Sequence, residues 1–334
     1  MKGMTTIDGI DYNEVYYDAI VPSLERYNEQ EVNDYRTLFT ADDDERLKNI
    51  NIPGSNKMQK LSVLQTPDNI KIARGRFQGV TEFYGTAYQY TWDWLKDAKA
   101  SDLIDLQAEM LATDRRTVKE TILKSMIVNP GATGSYLHTN GAFWNTYFDQ
   151  YEGVANPPVH KTNSFASSHT HYVVSGAAAI TLDDFTAAEQ HLREHGVSGN
   201  LVCFMHSSQK KTIQDLAGWT TSGSTRSPIM DAVAVEGWVA RIAGWDIVVD
   251  DSIQANYVLF TVYDEAKLGK PVRFIEPNNA SFRGLLLVEG PNPNYPLIGA
   301  YYMRFMGSKV FNRSAGLAME IAVSGSYTNP TYYA

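Results

Sequence analysis

Of the 334 residues only one, Cys203, is a cysteine, which excludes an intrachain disulfide framework and suits a reducing compartment. No run of about 18 apolar residues is present, so no membrane-spanning helix is expected. The first residues, Met-Lys-Gly-Met-Thr-Thr, lack the apolar core of a signal peptide, and a soluble chain with no export address is expected. Basic excess is missing as well. With 29 Lys and Arg against 38 Asp and Glu, the net charge of −9 argues against a surface devoted to nucleic acid. Catalytic signatures are absent: there is no Gly-x-Ser-x-Gly elbow, no phosphate-binding Gly-x-x-x-x-Gly-Lys-Ser/Thr loop and no strand-to-helix Gly-x-Gly-x-x-Gly.

What remains is ordinary for a folded protein: 43% hydrophobic and 20% charged residues, long enough to bury a sizeable core. The 20 Tyr suit either an assembly surface or cross-strand packing. Charge is uneven, since residues 1–50 hold 12 acidic and 5 basic side chains. They read as an acidic arm, solvated or ordering against a neighbour, with weakly amphipathic helices over Tyr12–Glu25 and Glu29–Thr40.

Residues 58–92 change character. Apolar and polar residues alternate at the strand period, and Lys57, Lys60, Lys71, Arg74 and Arg76 stand against Asp68 and Glu82. This predicts a basic, extended β-hairpin that needs a partner surface, because a lone hairpin is marginal. Leu103, Leu106, Met110, Val118, Ile122 and Met126 predict a helix about 40 Å long, capped by Ser101 or Asp102 and ended by Pro130-Gly131. Asp114-Arg-Arg interrupts its apolar stripe and suggests a bend.

Residues 131–168 read as a long irregular excursion. A helix (Thr181–His195), a buried strand (Asn200–His206) and a helix (Lys211–Leu216) follow, and then a flexible loop, Gly218–Pro228. Apolar strands dominate after that: Trp238–Ala243, Asp246–Val249, Tyr257–Tyr263, Val272–Ile275, Leu285–Val288, and two in the tail. Cys203 lies in the run Leu-Val-Cys-Phe-Met and reads as core filler.

Candidate chemistry is sparse. His169 and His171 in a strand would share one face, as two metal ligands require, with Asp183, Asp184, His160 or His206 as further donors. Polar surface histidines in a loop account for the pair equally well. His191 and His195 are spaced as ligands on a helix, but their place before Gly196 is explained by the helix C-terminal dipole. Asp250 and Asp251 would point to opposite faces of a strand unless a turn gathers them on Ca²⁺. No catalytic, cofactor or metal residue is assigned.

The order of parts resembles the major capsid proteins of tailed bacteriophages, the Hong Kong 97-type fold that also builds encapsulin shells. The resemblance rests on Gln59–Thr91, Asp102–Ile127, Leu182–Leu216, Glu236–Ser252 and Tyr302–Ile321, each degenerate alone but ordered as in that family. It implies an α+β chain divided into an N-terminal arm (1–57), an E-loop (58–95), a P-domain (96–195 and 300–334, with a spine helix over 102–127) and an A-domain (196–299). It implies a structural protein rather than an enzyme: hexamers and pentamers of itself form an icosahedral shell around non-specifically held double-stranded DNA. Portal, scaffolding and cement or decoration proteins are implied partners; the host cytoplasm is the place of assembly and the virion capsid the destination. Lys60, Lys71, Arg74 and Arg76 become candidate intersubunit contacts, and Trp219, Ser222 and Arg226 candidates for the loop at the capsomer axis. Some relatives cross-link a Lys to an Asn; Lys60 or Lys71 with Asn312 or Asn329 would supply the atoms, though nothing singles out a pair. Two alternatives stay open: an encapsulin-like cargo shell, and a His-dependent metallohydrolase using His169 and His171.

Overall fold

In a computed structural model the chain is described at residues 5–34, 39–42, 48–52, 73–77, 80–131, 142–146, 157, 159–217, 220–221, 239–263, 271–289 and 297–333. The acidic start is helical and packed. Helix α1 (Tyr12–Val15), a π-helical turn (Tyr16–Ile20) and α2 (Val21–Asp34) follow one another directly. Val15, Tyr16, Ile20, Leu24 and Tyr27 are buried, which corrects the expectation of a solvated arm over these residues. The helix expected to reach Thr40 is described as far as Asp34, and Phe39 and Thr40 lie in strand β1 (Phe39–Asp42) instead.

Strands β2 (Lys48–Ile52) and β3 (Ala73–Phe77) pair antiparallel, from Lys48 opposite Phe77 to Ile52 opposite Ala73. Among the described residues they meet no third strand. Residues 58–72 of the stretch expected as a hairpin lie outside the described residues. Strand β4 (Glu82–Thr91) and the short helix α3 (Trp92–Leu95) lead into α4 (Ala100–Ile127).

The cap of α4 is Lys99 rather than Ser101 or Asp102; the Asp102 carboxylate accepts the Lys99 backbone N–H at 2.8 Å. The helix runs unbroken through Asp114. Leu103, Gln107, Met110, Asp114, Val118, Ile122 and Met126 form its buried stripe. The two polar members are there because each has a buried partner: Gln107 accepts from the Tyr302 hydroxyl, and Asp114 accepts from Arg304 and from the Tyr27 hydroxyl. A charge at a core position of the repeat is tolerated where its hydrogen-bonding capacity is filled.

Downstream come β5 (Tyr172–Val174), α5 (Leu182–Glu194), β6 (Asn200–Met205), α6 (Lys210–Asp215), β7 (Thr220–Thr221), β8 (Val239–Ile242) and β9 (Trp245–Val249). They are followed by β10 (Tyr257–Tyr263), β11 (Val272–Ile275), β12 (Leu286–Glu289), β13 (Leu297–Val310) and β14 (Gly316–Glu320). The described strands form two larger sheets. One has the order β1-β11-β13-β12, with β4 also laid along β13 over ten residue pairs, from Leu297–Thr91 to Met306–Glu82. The other has the order β5-β14-β10-β6-β9-β8-β7.

Strand β6 shows why an unbroken apolar run was needed. Val202 and Phe204 face the core that holds the C-terminal half of α4, with Leu259, Phe274 and Met306. Leu201, Cys203 and Met205 face the opposite core, under Phe185, Leu192, Ile213 and Trp245. A central strand covered on both faces has no polar side to present. Cys203 is fully buried there, and burial pushes its thiol well above the ordinary range, as suits a packing residue.

A close approach fixes the start of β14. A Cβ on Gly316 would lie 2.0 Å from the ring of Phe143, itself fully buried. Gly316→Ala is therefore expected to cost about 1–3 kcal/mol through overpacking. Urea unfolding should show a lower midpoint at unchanged slope; a midpoint equal to that of the wild type would contradict this packing.

Candidate functional site

Two features stand out: an exposed aromatic patch and a cluster of histidines. Among the surface candidates, Lys60, Lys71, Trp219, Ser222 and Arg226 lie outside the described residues. Arg74 and Arg76 sit in β3, opposite Asn51 and Asn49. The outward face of the β4–β13 ladder carries an exposed aromatic patch. Phe83 is 62% and Tyr301 45% exposed, and the ring of Phe305 lies 4.9 Å from that of Phe83 and 5.7 Å from that of Phe282. Along β13 the odd residues Tyr301 and Phe305 look outward while Tyr302, Arg304 and Met306 are buried, as the strand period requires.

The histidines assemble from two elements. Thr181 and Asp184 cap α5 reciprocally: the Thr181 N–H donates to Asp184 at 2.7 Å, and the Asp184 N–H to Thr181 Oγ1 at 3.4 Å. The last turn of α5 carries His191, and His195 follows at its C-cap. Gly196 closes the helix at φ +73°, and a Cβ there would strike the His160 ring, so glycine is required twice over. His169 and His171 lie just before β5. His171 is held by its backbone, which donates to the Trp144 carbonyl at 2.7 Å and accepts from Ala318 at 2.9 Å.

One ring nitrogen from each of His169, His171, His191 and His195 lies within 4.8 Å of the others. His195 Nε2 is 2.9 Å from His169 Nε2 and 3.0 Å from His171 Nε2. His171 Nδ1 donates to the Gly316 carbonyl at 2.6 Å, which leaves Nε2 of a neutral ring as a lone pair turned toward the cluster. His191 Nε2 is buried with no hydrogen-bond partner. Burial first, and then the neighbouring imidazoles, hold His191 down to about 4 and His195 to about 3; burial also lowers His169 and, strongly, His171. The cluster is a set of neutral, converging imidazoles.

This corrects the reading of His169 and His171 as surface loop residues and that of His191 and His195 as dipole partners alone. Each pair was visible by its spacing. What the sequence did not show was that the turn before β5 returns to the end of α5. Of the other suggested donors, His160 stays beside the cluster with its ring against Gly196, while His206 caps Ser208 and Asp183 and Asp184 sit in the first turn of α5. Asp250 pairs with Lys119 at 2.7 Å, and Asp251 accepts from the Ser207 N–H at 3.0 Å, so the two are not gathered on one ion. Asn312 is buried, and Asn329 exchanges hydrogen bonds with the backbone of Asn129 at 2.7 and 2.8 Å.

No protein-family model matches the chain, and no curated protein matches it by sequence. Solved structures do. A protein of Mycobacterium phage Patience superposes with a TM-score of 0.70 at 22% identity, over 100% of this chain and 96% of that one. The capsids of empty and of native GTA particles match with TM-scores of 0.53 and 0.51, at 14% and 13% identity, each over 87% of this chain and 90% of theirs. The chain has the Hong Kong 97-type capsid fold. Among the described residues no helix is long and apolar enough to cross a membrane.

Proposed function

We propose that the chain is a major capsid protein: a structural subunit, not an enzyme, whose copies close into an icosahedral shell of hexamers and pentamers around double-stranded DNA. The observation that carries this reading is the match over 100% of the chain to the phage Patience protein, together with the fold shared with the GTA capsids.

Each part has a mechanical task in that reading. Helix α4, about 42 Å long at 1.5 Å per residue, is the strut joining the two sheets. The β2–β3 hairpin is the E-loop and lies across a neighbouring subunit, because two strands alone bury too little. Its basic residues, Lys60, Lys71, Arg74 and Arg76, meet acidic surface there. The aromatic patch of Phe83, Tyr301 and Phe305 is a second contact, since exposed aromatic surface is enriched at interfaces. Trp219, Ser222 and Arg226 adapt between five- and sixfold rings. DNA is held without sequence readout, in keeping with the net charge of −9. Portal, scaffolding and cement proteins are the partners of such a shell, which assembles in the host cytoplasm.

Sedimentation of the overexpressed protein tests the reading. Most of the protein should travel as a megadalton-scale species; a profile confined to monomers at every concentration would rule the reading out.

A further inference from the structure

The four-histidine cluster has no part in shell building as derived above, and its geometry asks for a ligand. Two contacts of 2.9 and 3.0 Å join three Nε2 atoms, yet the Gly316 carbonyl fixes His171 Nε2 as a lone pair. A neutral His195 has at most one Nε2–H to serve both neighbours, and His191 Nε2 is buried with no partner at all. Left to itself, the site brings together more acceptor lone pairs than it has protons to satisfy them, and buried polar atoms in that state are costly.

We propose that His169, His171, His191 and His195 form a structural site for one divalent transition-metal ion of the zinc type, bound through four neutral imidazoles. Zinc prefers four nitrogen or sulfur ligands in a tetrahedron at about 2.0–2.1 Å, which separates ligand atoms by roughly 3.3 Å. The 2.9 and 3.0 Å contacts lie a few tenths of an ångström from that value, and the widest separation, at most 4.8 Å, has to close by no more than about 1.5 Å. The His171 Nδ1–H to the Gly316 carbonyl is the outer-shell bond that metal-ligating histidines normally make; it fixes both tautomer and ring direction. The four side chains fill a tetrahedral shell and leave no position for substrate, so the site is structural rather than hydrolytic. Imidazole-only ligation suits zinc, nickel or copper and disfavours calcium and magnesium, which take oxygen.

The ion would clip the segment before β5 to the end of α5 and, through His171, to the first residue of β14. That function is independent of whether the chain assembles.

The test uses tag-free full-length protein. Elemental analysis should find about one zinc per chain. Dialysis against a chelator should lower the unfolding temperature, and added Zn²⁺ should restore it. Co²⁺ added to the stripped protein should give the intense visible bands of a tetrahedral site. His191→Gln should weaken Zn²⁺ binding by more than about 100-fold, beyond the usual cost of losing an outer-shell partner, whereas His206→Gln, outside the cluster, should leave binding unchanged. If His191→Gln fails to fold, the Co²⁺ spectrum and Zn²⁺ titration of the wild type decide alone. Stripped wild-type protein that gives no tetrahedral Co²⁺ spectrum and no Zn²⁺-dependent gain in unfolding temperature would overturn the proposal and leave a stacked imidazole cluster.

Discussion

Asp114→Ala is expected to destabilise the folded subunit by about 3–5 kcal/mol, the range for breaking a buried ion pair from one side. Arg304 is 3% and Asp114 7% exposed, so removal of the carboxylate takes a close counter-charge from a guanidinium that is buried from water. Glu276, a second carboxylate near Arg304, is 3.9 Å away and cannot take over the contact unchanged. The Tyr27 hydroxyl loses its acceptor at the same time. Three parts of the chain meet here: α2 through Tyr27, α4 through Asp114 and β13 through Arg304. The substitution therefore loosens the seat of the N-terminal helix as well as the strut. A domain's whole stability is only about 5–15 kcal/mol, so soluble yield should fall sharply. Urea unfolding of the unassembled subunit measures the loss. The double substitution Asp114→Leu with Arg304→Met should recover most of it, because it removes both charges instead of stranding one. A single-mutant loss below about 1 kcal/mol, the scale of an exposed pair, would contradict the buried pair.

The second large effect concerns assembly. Replacing residues 53–72 by Asn-Gly should leave a folded subunit that forms no closed shells. Ile52 and Ala73 face each other at the end of the β2–β3 ladder, and a two-residue Asn-Gly turn is the natural link between antiparallel strands. The cut must stop short of β4. Deleting all of residues 58–92 would also strip β13 of its ten-residue partner and unfold the sheet, which would confuse a folding defect with an assembly defect. Far-ultraviolet circular dichroism reads the fold, and sedimentation reads the assembly. Normal shells from the shortened protein would show that this hairpin is not the intersubunit contact.

Much of the architecture was legible because it is written in local periodicity. Strands Tyr257–Tyr263 and Val272–Ile275 appear with the boundaries their apolar runs suggest, and α5 (Leu182–Glu194) ends within one residue of the expected Thr181–His195 on either side. Features set by distant partners were not legible. Asp114 read as a break in the stripe because the residue that makes it a core position, Arg304, is 190 positions away. Strand β1 was hidden at the end of a stretch read as helix, since its pairing comes from β11 and not from its own pattern. The pairing of residues 48–52 with 73–77 likewise places the start of the hairpin inside the stretch read as arm. The histidine cluster failed for the same reason: two unremarkable pairs acquire meaning only when the chain returns from β5 to the end of α5. The candidate contacts Lys60, Lys71, Trp219, Ser222 and Arg226 still rest on the resemblance.

The most direct test of the shell reading is an electron micrograph of the full-length protein from the fast-sedimenting fractions. Closed, uniform particles whose class averages show five- and sixfold capsomers are predicted. Small monodisperse subunits or amorphous aggregate under all conditions of salt and concentration would contradict it.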